Sequence, residues 1–224
     1  MRIQGVVFDF DGVIVDSEAR FMKIVSEMLR SLGEMTSEDE LFLYVGIPPV
    51  EAIEIMKKLH PALAVLTNDD LLFRLKEQMS RSEIKPQAMP GVQEFFDFLK
   101  ENRILTALAT SRDDCSADEL IDELSLKIHF DIKVTHKDVK KGKPDPETYL
   151  KVIEKFADYG IPACELIVIE DSVNGIASSV KAGLYTIGFK GSEVLQDTSV
   201  ADIEIRDYRS LRSFILHTGS FHEA

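Results

Sequence analysis

Two aspartates stand two residues apart where a short apolar stretch near the start of the chain ends. The stretch, Ile3 to Phe10, is rich in β-branched and aromatic residues; Asp9 and Asp11 lie at its end and Gly12 follows. Carboxylates buried there would be costly unless a positive charge compensated them. Mg2+ prefers carboxylate, phosphate and water oxygens. The pair therefore predicts a magnesium site that Gly12 lets the backbone approach closely, with a turn capped by aspartates as the alternative.

Two later segments could contact a phosphate group. Thr110, Ser111 and Arg112 follow an apolar run, and their hydroxyls and backbone N–H groups stand beside a predicted helix start, which favours anion binding. Lys143 lies in the loop Gly142 to Pro146, where its ammonium could neutralise phosphoryl charge. Taken singly, the first segment could be a helix cap and the second a solvated turn.

The run Leu166 to Ile169 repeats the pattern of the first stretch, because it ends in two adjacent acids, Glu170 and Asp171. Asp171 or Ser172 could be the N-cap of a following helix, but a second source of carboxylates for the metal fits the same residues. Each of these polar segments can be explained by itself. Their joint occurrence favours one shared site.

The elements that would position these residues alternate between strand and helix. Segments with apolar residues at helical spacing separate short apolar runs that indicate buried strands, over 3–10, 104–109, 132–134, 166–169 and 184–189. This alternation predicts an α/β fold with a doubly wound, Rossmann-like parallel sheet. Ligands of such sheets bind at the carboxyl ends of the strands, where the polar segments are expected to meet.

Helical patterns alone fill the segment 17–85, which predicts an all-α helical cap domain inserted into a core domain of residues 1–16 and 86–224. A cap that moves over the strand ends is the expected arrangement. Within it we expect a capping box at 37–40, a helix over 51–59, and a helix that is capped by Asn68 or Asp69 and continues to Met79.

The composition is that of a folded protein without affinity for polyanions. Of 224 residues, 45% are apolar and 29% charged, and a formal net charge of −13 would repel nucleic acid and anionic membranes. We expect no signal peptide or membrane span, a cytoplasmic location and a monomer. The two cysteines and five histidines show no metal-binding spacing.

The order and content of these motifs resemble the haloacid dehalogenase (HAD) superfamily, in the subgroup with a small helical cap that includes phosphoglycolate phosphatases and beta-phosphoglucomutases. The resemblance spans nearly the whole chain. Its carriers are Asp9-Phe-Asp-Gly-Val-Ile-Val-Asp16-Ser17, Pro90-Gly91-Val92, Ala109-Thr110-Ser111, Gly142-Lys143-Pro144-Asp-Pro-Glu147 and Ile169-Glu170-Asp171-Ser172-Val-Asn-Gly175. The first and the last are highly specific.

The resemblance implies a Mg2+-dependent phosphatase that hydrolyses a small phosphomonoester, such as a sugar phosphate or phosphoglycolate. Asp9 would be the nucleophile that forms an aspartyl phosphate, and Asp11 would act as general acid and then as general base. The metal would be held by Asp9, the Asp11 carbonyl and Asp171, with Glu170 as an outer-shell partner.

The resemblance also implies a phosphate-binding set. Thr110 and backbone N–H groups would hold phosphoryl oxygens, with Gly12, Ser111 and Arg112 as further contributors. Lys143 would neutralise charge close to the nucleophile. Positioning and electrostatic stabilisation of this kind are what phosphoryl transfer requires from a protein.

Two departures bear on the alternative of a sugar-phosphate mutase, which would use the same core with a different cap. Beta-phosphoglucomutases have a histidine where this chain has Phe21, and a cap-loop arginine that aligns with Val50. Both differences weaken the mutase alternative. Asp11 argues against a dehalogenase or phosphonate hydrolase, since the resembled families of those types lack an aspartate there.

Two further alternatives lie outside catalysis. A receiver-type signalling module also combines an α/β sheet with an acidic cluster and a lysine, but it normally has no helical insertion of this length. A degenerate binding protein would have lost some of the motif residues, whereas here all four motifs are filled.

Overall fold

The computed structural model describes residues 2–44, 49–82, 85–112, 114–192 and 196–218. Its strands are β1 (Gly5–Phe8), β2 (Val15–Asp16), β3 (Gln87–Ala88), β4 (Leu105–Ala109), β5 (Ile132–Val134), β6 (Leu166–Glu170), β7 (Tyr185–Phe189) and β8 (Ile203–Ile205). Its helices are α1 (Ser17–Ser31), α2 (Glu38–Phe42), α3 (Pro49–Leu59), α4 (Asn68–Arg81), α5 (Val92–Glu101), α6 (Asp114–Glu123), α7 (Glu147–Ala157), α8 (Val173–Lys181) and α9 (Tyr208–Thr218).

The chain divides into two compact units. The larger comprises residues 1–16 and 87–224, and the smaller comprises residues 17–86. A parallel sheet of six strands, in the order β5-β4-β1-β6-β7-β8, forms the centre of the larger unit. β1 lies between β4 and β6, where Phe8 pairs with Leu108 and Ile169. The strand order reverses around β1, which makes its carboxyl end the topological switch point where ligands bind in such sheets.

Helices cover both faces of this sheet, because successive residues of a buried strand point to opposite sides. Val6 and Phe8 pack in a core cluster with residues of α5 and α9, whereas Val7 packs in a second cluster with residues of α7. The predicted α/β fold with a doubly wound sheet is thus confirmed. Five predicted strands are present with bounds shifted by at most two residues.

Three short strands were not predicted. β8 adds a parallel edge next to β7, and β2 and β3 form a two-stranded antiparallel pair in which Val15 lies opposite Ala88. The two residues of β2 and of β3 are too few to give a recognisable apolar pattern. β8 has the same apolar–charged–apolar pattern as β5, so the sequence could have predicted it.

The smaller unit is built from α1 to α4 around its own apolar core, in which Ile24, Met28, Tyr44, Ile53 and Leu71 are buried. Among the described residues, no helix of either unit is both long and apolar enough to cross a bilayer.

Two predicted caps differ from the observed ones. At 37–40 the Ser37 side chain accepts from the Glu40 N–H group, but the other half of a capping box is not formed, because the Glu40 carboxylate binds Tyr44 and His60. The prediction that Asn68 or Asp69 caps α4 was wrong. Thr67 is the N-cap in a reciprocal capping box, and the helix continues to Arg81.

Candidate active site

Asp9 directly follows the central strand and is almost completely buried, with 8% of its surface exposed. Its backbone N–H donates to the Ile169 carbonyl at 3.0 Å, which extends the pairing of β1 with β6 by one residue. The chain then turns sharply, with Gly12 at φ 73° and its N–H donating to the Val15 carbonyl at 2.8 Å. The turn places Asp9 and Asp11 at the switch point of the sheet.

Lys143 reaches this strand end from the loop before α7. Its Nζ donates to Asp9 Oδ1 at 2.7 Å, to the Ala109 carbonyl at 2.9 Å and to Glu170 Oε1 at 2.5 Å. Burial alone would lower the pKa of Lys143, but the charges of Asp9 and Glu170 outweigh it and raise that pKa. The side chain is therefore a permanently charged ammonium that joins three neighbouring strand ends.

Glu170 is completely buried, and both of its carboxylate oxygens accept hydrogen bonds. Oε1 binds Lys143 and the hydroxyl of Tyr149 at 2.7 Å, and Oε2 accepts from the N–H and the hydroxyl of Ser172 at 3.2 and 3.1 Å. A Cβ at Gly175 would overlap this carboxylate, so only glycine fits there. Glu170 is thus fixed by side chains from three elements.

Asp171 completes an acidic cluster at the same edge. Oxygen atoms of Asp9, Glu170 and Asp171, all buried, lie within 4.8 Å of one another. Three carboxylates beside one ammonium leave two negative charges uncompensated by Lys143. Burial raises the pKa of Asp9 to about 7, and the charges of Glu170 and Asp11 add to this effect while Lys143 opposes it. A hard divalent cation would fit this oxygen-rich, anionic cluster.

Asp11 is held by Arg112, a pairing that the sequence did not predict. Arg112 Nε donates to Asp11 Oδ2 and Nη2 to Oδ1, both at 2.7 Å, and the guanidinium carbon lies 5.6 Å from the Phe10 ring centroid. Both side chains are about one third exposed. Arginine and carboxylate groups match in this two-pronged geometry, so Arg112 occupies both carboxylate oxygens of Asp11.

Thr110 and Ser111 follow β4, the neighbour of β1 on the side opposite β6. Thr110 is buried, and its hydroxyl accepts from the Arg112 N–H at 3.1 Å. Ser111 is exposed. The structure therefore brings the predicted residues of the larger unit to the carboxyl ends of β1, β4 and β6 and to the loop before α7, while their chemical roles stay predictions.

The structure adds Tyr149 and the Ala109 carbonyl to the residues predicted for this site. Tyr149 lies on the apolar face of α7 and is completely buried. The sequence did hold one sign that Tyr149 contacts a polar group. Its hydroxyl stands in an otherwise apolar helical stripe, and a buried hydroxyl requires a hydrogen-bond partner. The partner itself, Glu170, becomes visible only when β6 and α7 are placed side by side.

The parallel α/β sheet, the paired aspartates after its central strand and the buried lysine, together with relatives named as phosphatases, identify an enzyme of the phosphoric monoester hydrolase type. The chain belongs to the haloacid dehalogenase-like hydrolase family, whose model matches residues 6–189.

Relatives with named activities span most of this chain. A phosphorylated carbohydrates phosphatase of Thermotoga maritima is 34% identical over 188 residues, which are 83% of this chain and 84% of that protein. Hexitol phosphatase B of Escherichia coli K12 is 24% identical over 94% of this chain and 95% of its own length. A solved structure from Thermotoga maritima, described as a candidate beta-phosphoglucomutase, has 30% identity and a TM-score of 0.77, covering 95% of this chain and 98% of that one.

Proposed function

We propose that this enzyme is a Mg2+-dependent phosphatase that hydrolyses a small phosphorylated carbohydrate or a similar phosphomonoester through an aspartyl phosphate on Asp9. One observation carries the proposal: Asp9 is buried at the switch point of the sheet with an ammonium at 2.7 Å and two further carboxylates beside it. The phosphorylated carbohydrate and hexitol phosphatases among the relatives support the substrate class.

Two displacements at phosphorus would complete the reaction. In the first, an oxygen of Asp9 bonds to phosphorus, the bond from phosphorus to the leaving oxygen breaks, and Asp11 gives its proton to that oxygen. In the second, a water oxygen bonds to phosphorus, the bond from phosphorus to Asp9 breaks, and Asp11 takes the proton of the water. Lys143 offsets negative charge beside Asp9 in both steps.

Arg112 must release Asp11 for this chemistry, because both oxygens of Asp11 are occupied in the pair described above. A carboxyl group that transfers a proton has to present one oxygen to the leaving group. The released guanidinium can then bind an anionic oxygen of the substrate, since arginine recognises phosphate as well as carboxylate. Arg112 would thus join Thr110, Ser111 and backbone groups near Gly12 in holding the phosphate.

Asp9, Asp171 and the backbone carbonyl of Asp11 would hold the Mg2+ ion. When bound, the ion would supply the positive charge that the acidic cluster lacks and would offset charge on the phosphoryl oxygens. Glu170 would stay in an outer shell, because Lys143, Tyr149 and Ser172 already occupy its two oxygens.

Residues 17–86 would serve as the cap that selects the leaving group. Phe21, which replaces the histidine of beta-phosphoglucomutases, is partly buried against the apolar core of this unit. Val50 is exposed on α3 and offers no charge for a second phosphate. Both observations favour a phosphatase over a mutase.

The proposed nucleophile, Asp9, can be tested by a single substitution. Asp9→Asn should abolish Mg2+-dependent phosphate release, because an amide cannot displace the leaving group, while circular dichroism should show an intact fold. Asp202→Asn is the matched control: the Asp202 carboxylate accepts from the Thr186 N–H at 2.7 Å at the opposite end of the sheet, so its turnover should be kept. Wild-type turnover of Asp9→Asn would refute the mechanism.

A further inference from the structure

Tyr149 is a polar residue in an apolar environment on the buried face of α7. It is completely buried and packs in the same cluster as Val7, Val152, Phe156 and Val168. A phenylalanine would fill this space equally well. A buried hydroxyl costs about 1–3 kcal/mol when it lacks a partner, so packing gives no reason for tyrosine at this position.

The hydroxyl group points at the candidate active site. It donates to Glu170 Oε1 at 2.7 Å, the same oxygen that accepts from Lys143 Nζ at 2.5 Å. The Nζ atom also lies 5.1 Å from the centroid of the Tyr149 ring. Tyr149 therefore contacts both members of the Lys143–Glu170 ion pair, through its hydroxyl and through its ring.

Lys143 has three N–H donors, and three acceptors receive them: Asp9, the Ala109 carbonyl and Glu170. Its position beside the nucleophile thus depends on where Glu170 holds it. Burial and the charge of Glu170 raise the pKa of Tyr149 well above its ordinary value, so the hydroxyl keeps its proton and remains a donor.

We propose that Tyr149 is a positioning residue, whose hydroxyl fixes Glu170 so that Lys143 is aimed at Asp9. The inference rests on the proposed function, because it assumes that Asp9 is the nucleophile. Tyr149 would keep the ammonium of Lys143 in position beside it. Without the hydroxyl, Oε1 of Glu170 keeps Lys143 as its remaining partner, and the ammonium can shift toward Glu170 and away from Asp9.

The test is Tyr149→Phe, which removes one oxygen atom and keeps the ring. We expect kcat for a small sugar phosphate with Mg2+ to fall about tenfold, as is typical when a partner of a catalytic ligand is lost. KM should change less than twofold, because the proposed phosphate contacts are kept. The thermal midpoint should stay close to that of the wild type, since the aromatic packing is preserved.

Tyr44→Phe is the matched control. Tyr44 is likewise buried, and its hydroxyl donates to a carboxylate oxygen, Oε1 of Glu40, which lies in the smaller unit and is not an acid of the site. This variant should keep kcat. Equal kcat values for Tyr149→Phe, Tyr44→Phe and the wild type would overturn the inference, whereas an inactive wild type would refute the proposed function itself.

A double-variant cycle separates positioning through Glu170 from an unrelated effect. If Tyr149 acts through Glu170, the double variant Tyr149→Phe with Glu170→Gln should have the same kcat as Glu170→Gln alone. Multiplicative losses of kcat would show that Tyr149 acts independently of Glu170 and would also overturn the inference. Thermal midpoints of the three variants would check that each of them is folded.

Discussion

Gly12 lies in the turn after β1 and packs closely against Asp171, the residue that follows β6. Its φ of 73° is one that residues with a side chain rarely adopt, and a Cβ there would overlap the carboxylate of Asp171. The two constraints have different consequences. Strain in the backbone affects stability, whereas displacement of Asp171 affects the acidic cluster itself.

Gly12→Ala should therefore lower both stability and activity. The positive φ costs about 1–3 kcal/mol for a residue with a Cβ, and the displaced Asp171 should reduce phosphate release about a hundredfold by weakening Mg2+ binding. Gly160→Ala provides the comparison, because Gly160 has nearly the same φ of 72° but nothing within 4 Å of the position of its Cβ. Urea unfolding and phosphate-release assays on both variants check this. A fully active Gly12→Ala would contradict the placement of Asp171 in the site.

A partly buried ionic cluster around His60 links three segments of the smaller unit. His60 Nδ1 lies 2.8 Å from Glu34 Oε2 and Nε2 lies 2.6 Å from Glu40 Oε1, which also accepts from Tyr44. Both ring nitrogens can donate only in the imidazolium form. Burial alone would lower the pKa of His60, but the hydrogen bonds and charges of Glu40 and Glu34 outweigh it and raise that pKa.

Stability should therefore depend on pH through this cluster. A raised pKa means that His60 stabilises the fold fully below its ordinary value of 6.5 and loses this contribution as the pH rises through the raised value. For Glu40, burial is outweighed by hydrogen bonds from Tyr44 and His60 that lower its pKa, so its contribution is present above 4.5 and is lost as the pH falls through the lowered value. The contribution of His60 and Glu40 to stability is therefore largest between pH 4.5 and pH 6.5, the ordinary pKa values of the two groups.

Thermal midpoints between about pH 6 and about pH 9 should fall in the wild type and fall less in His60→Gln, because the variant cannot form the imidazolium. His217→Gln is the control, since His217 is exposed and bonds the Ser213 carbonyl within its own helix. Identical pH profiles for His60→Gln and the wild type would exclude the cluster as a source of the dependence.

Strands and helices with long apolar patterns were predictable, because their burial requires many apolar side chains in a row. The β2–β3 pair was missed because two residues carry no periodicity, whereas β8 repeats the apolar–charged–apolar pattern of β5 and could have been found. The N-cap of α4 was misplaced by one or two residues: Thr67, Asn68, Asp69 and Asp70 are all good capping types, and only the reciprocal bonds between Thr67 and Asp70 select the first. The role of His60 was not predicted, because its two carboxylate partners are 26 and 20 residues away in the chain.

In the folded molecule the sequence motifs predicted which residues meet, but not how they pair. The position of Lys143 beside Asp9 was implied by the family resemblance, since Lys143 lies in a loop and not at the end of a neighbouring strand. The pairing of Arg112 with Asp11 depends on side-chain reach, which a motif does not specify. Tyr149 was missed for a related reason, since its helical spacing is that of a core residue and its hydroxyl becomes informative only beside Glu170.

A panel of small phosphomonoesters tests the substrate class. With Mg2+ present, we expect inorganic phosphate to be released from sugar and sugar-alcohol phosphates, and glucose 1-phosphate to yield glucose and phosphate. Phe21 and Val50 motivate this outcome, because they supply neither the histidine nor the arginine of a mutase. Conversion of glucose 1-phosphate to glucose 6-phosphate without net phosphate release would instead support a mutase.

The central position of β1 has a consequence for how the protein is made. Lys143, which neutralises Asp9, follows it by 134 residues, and the acids at the end of β6 come later still. Because β1 needs β4 on one side and β6 on the other, a nascent chain cannot bury it until most of the molecule has left the ribosome. The nucleophile therefore becomes buried only after β6 has been made and has paired with β1.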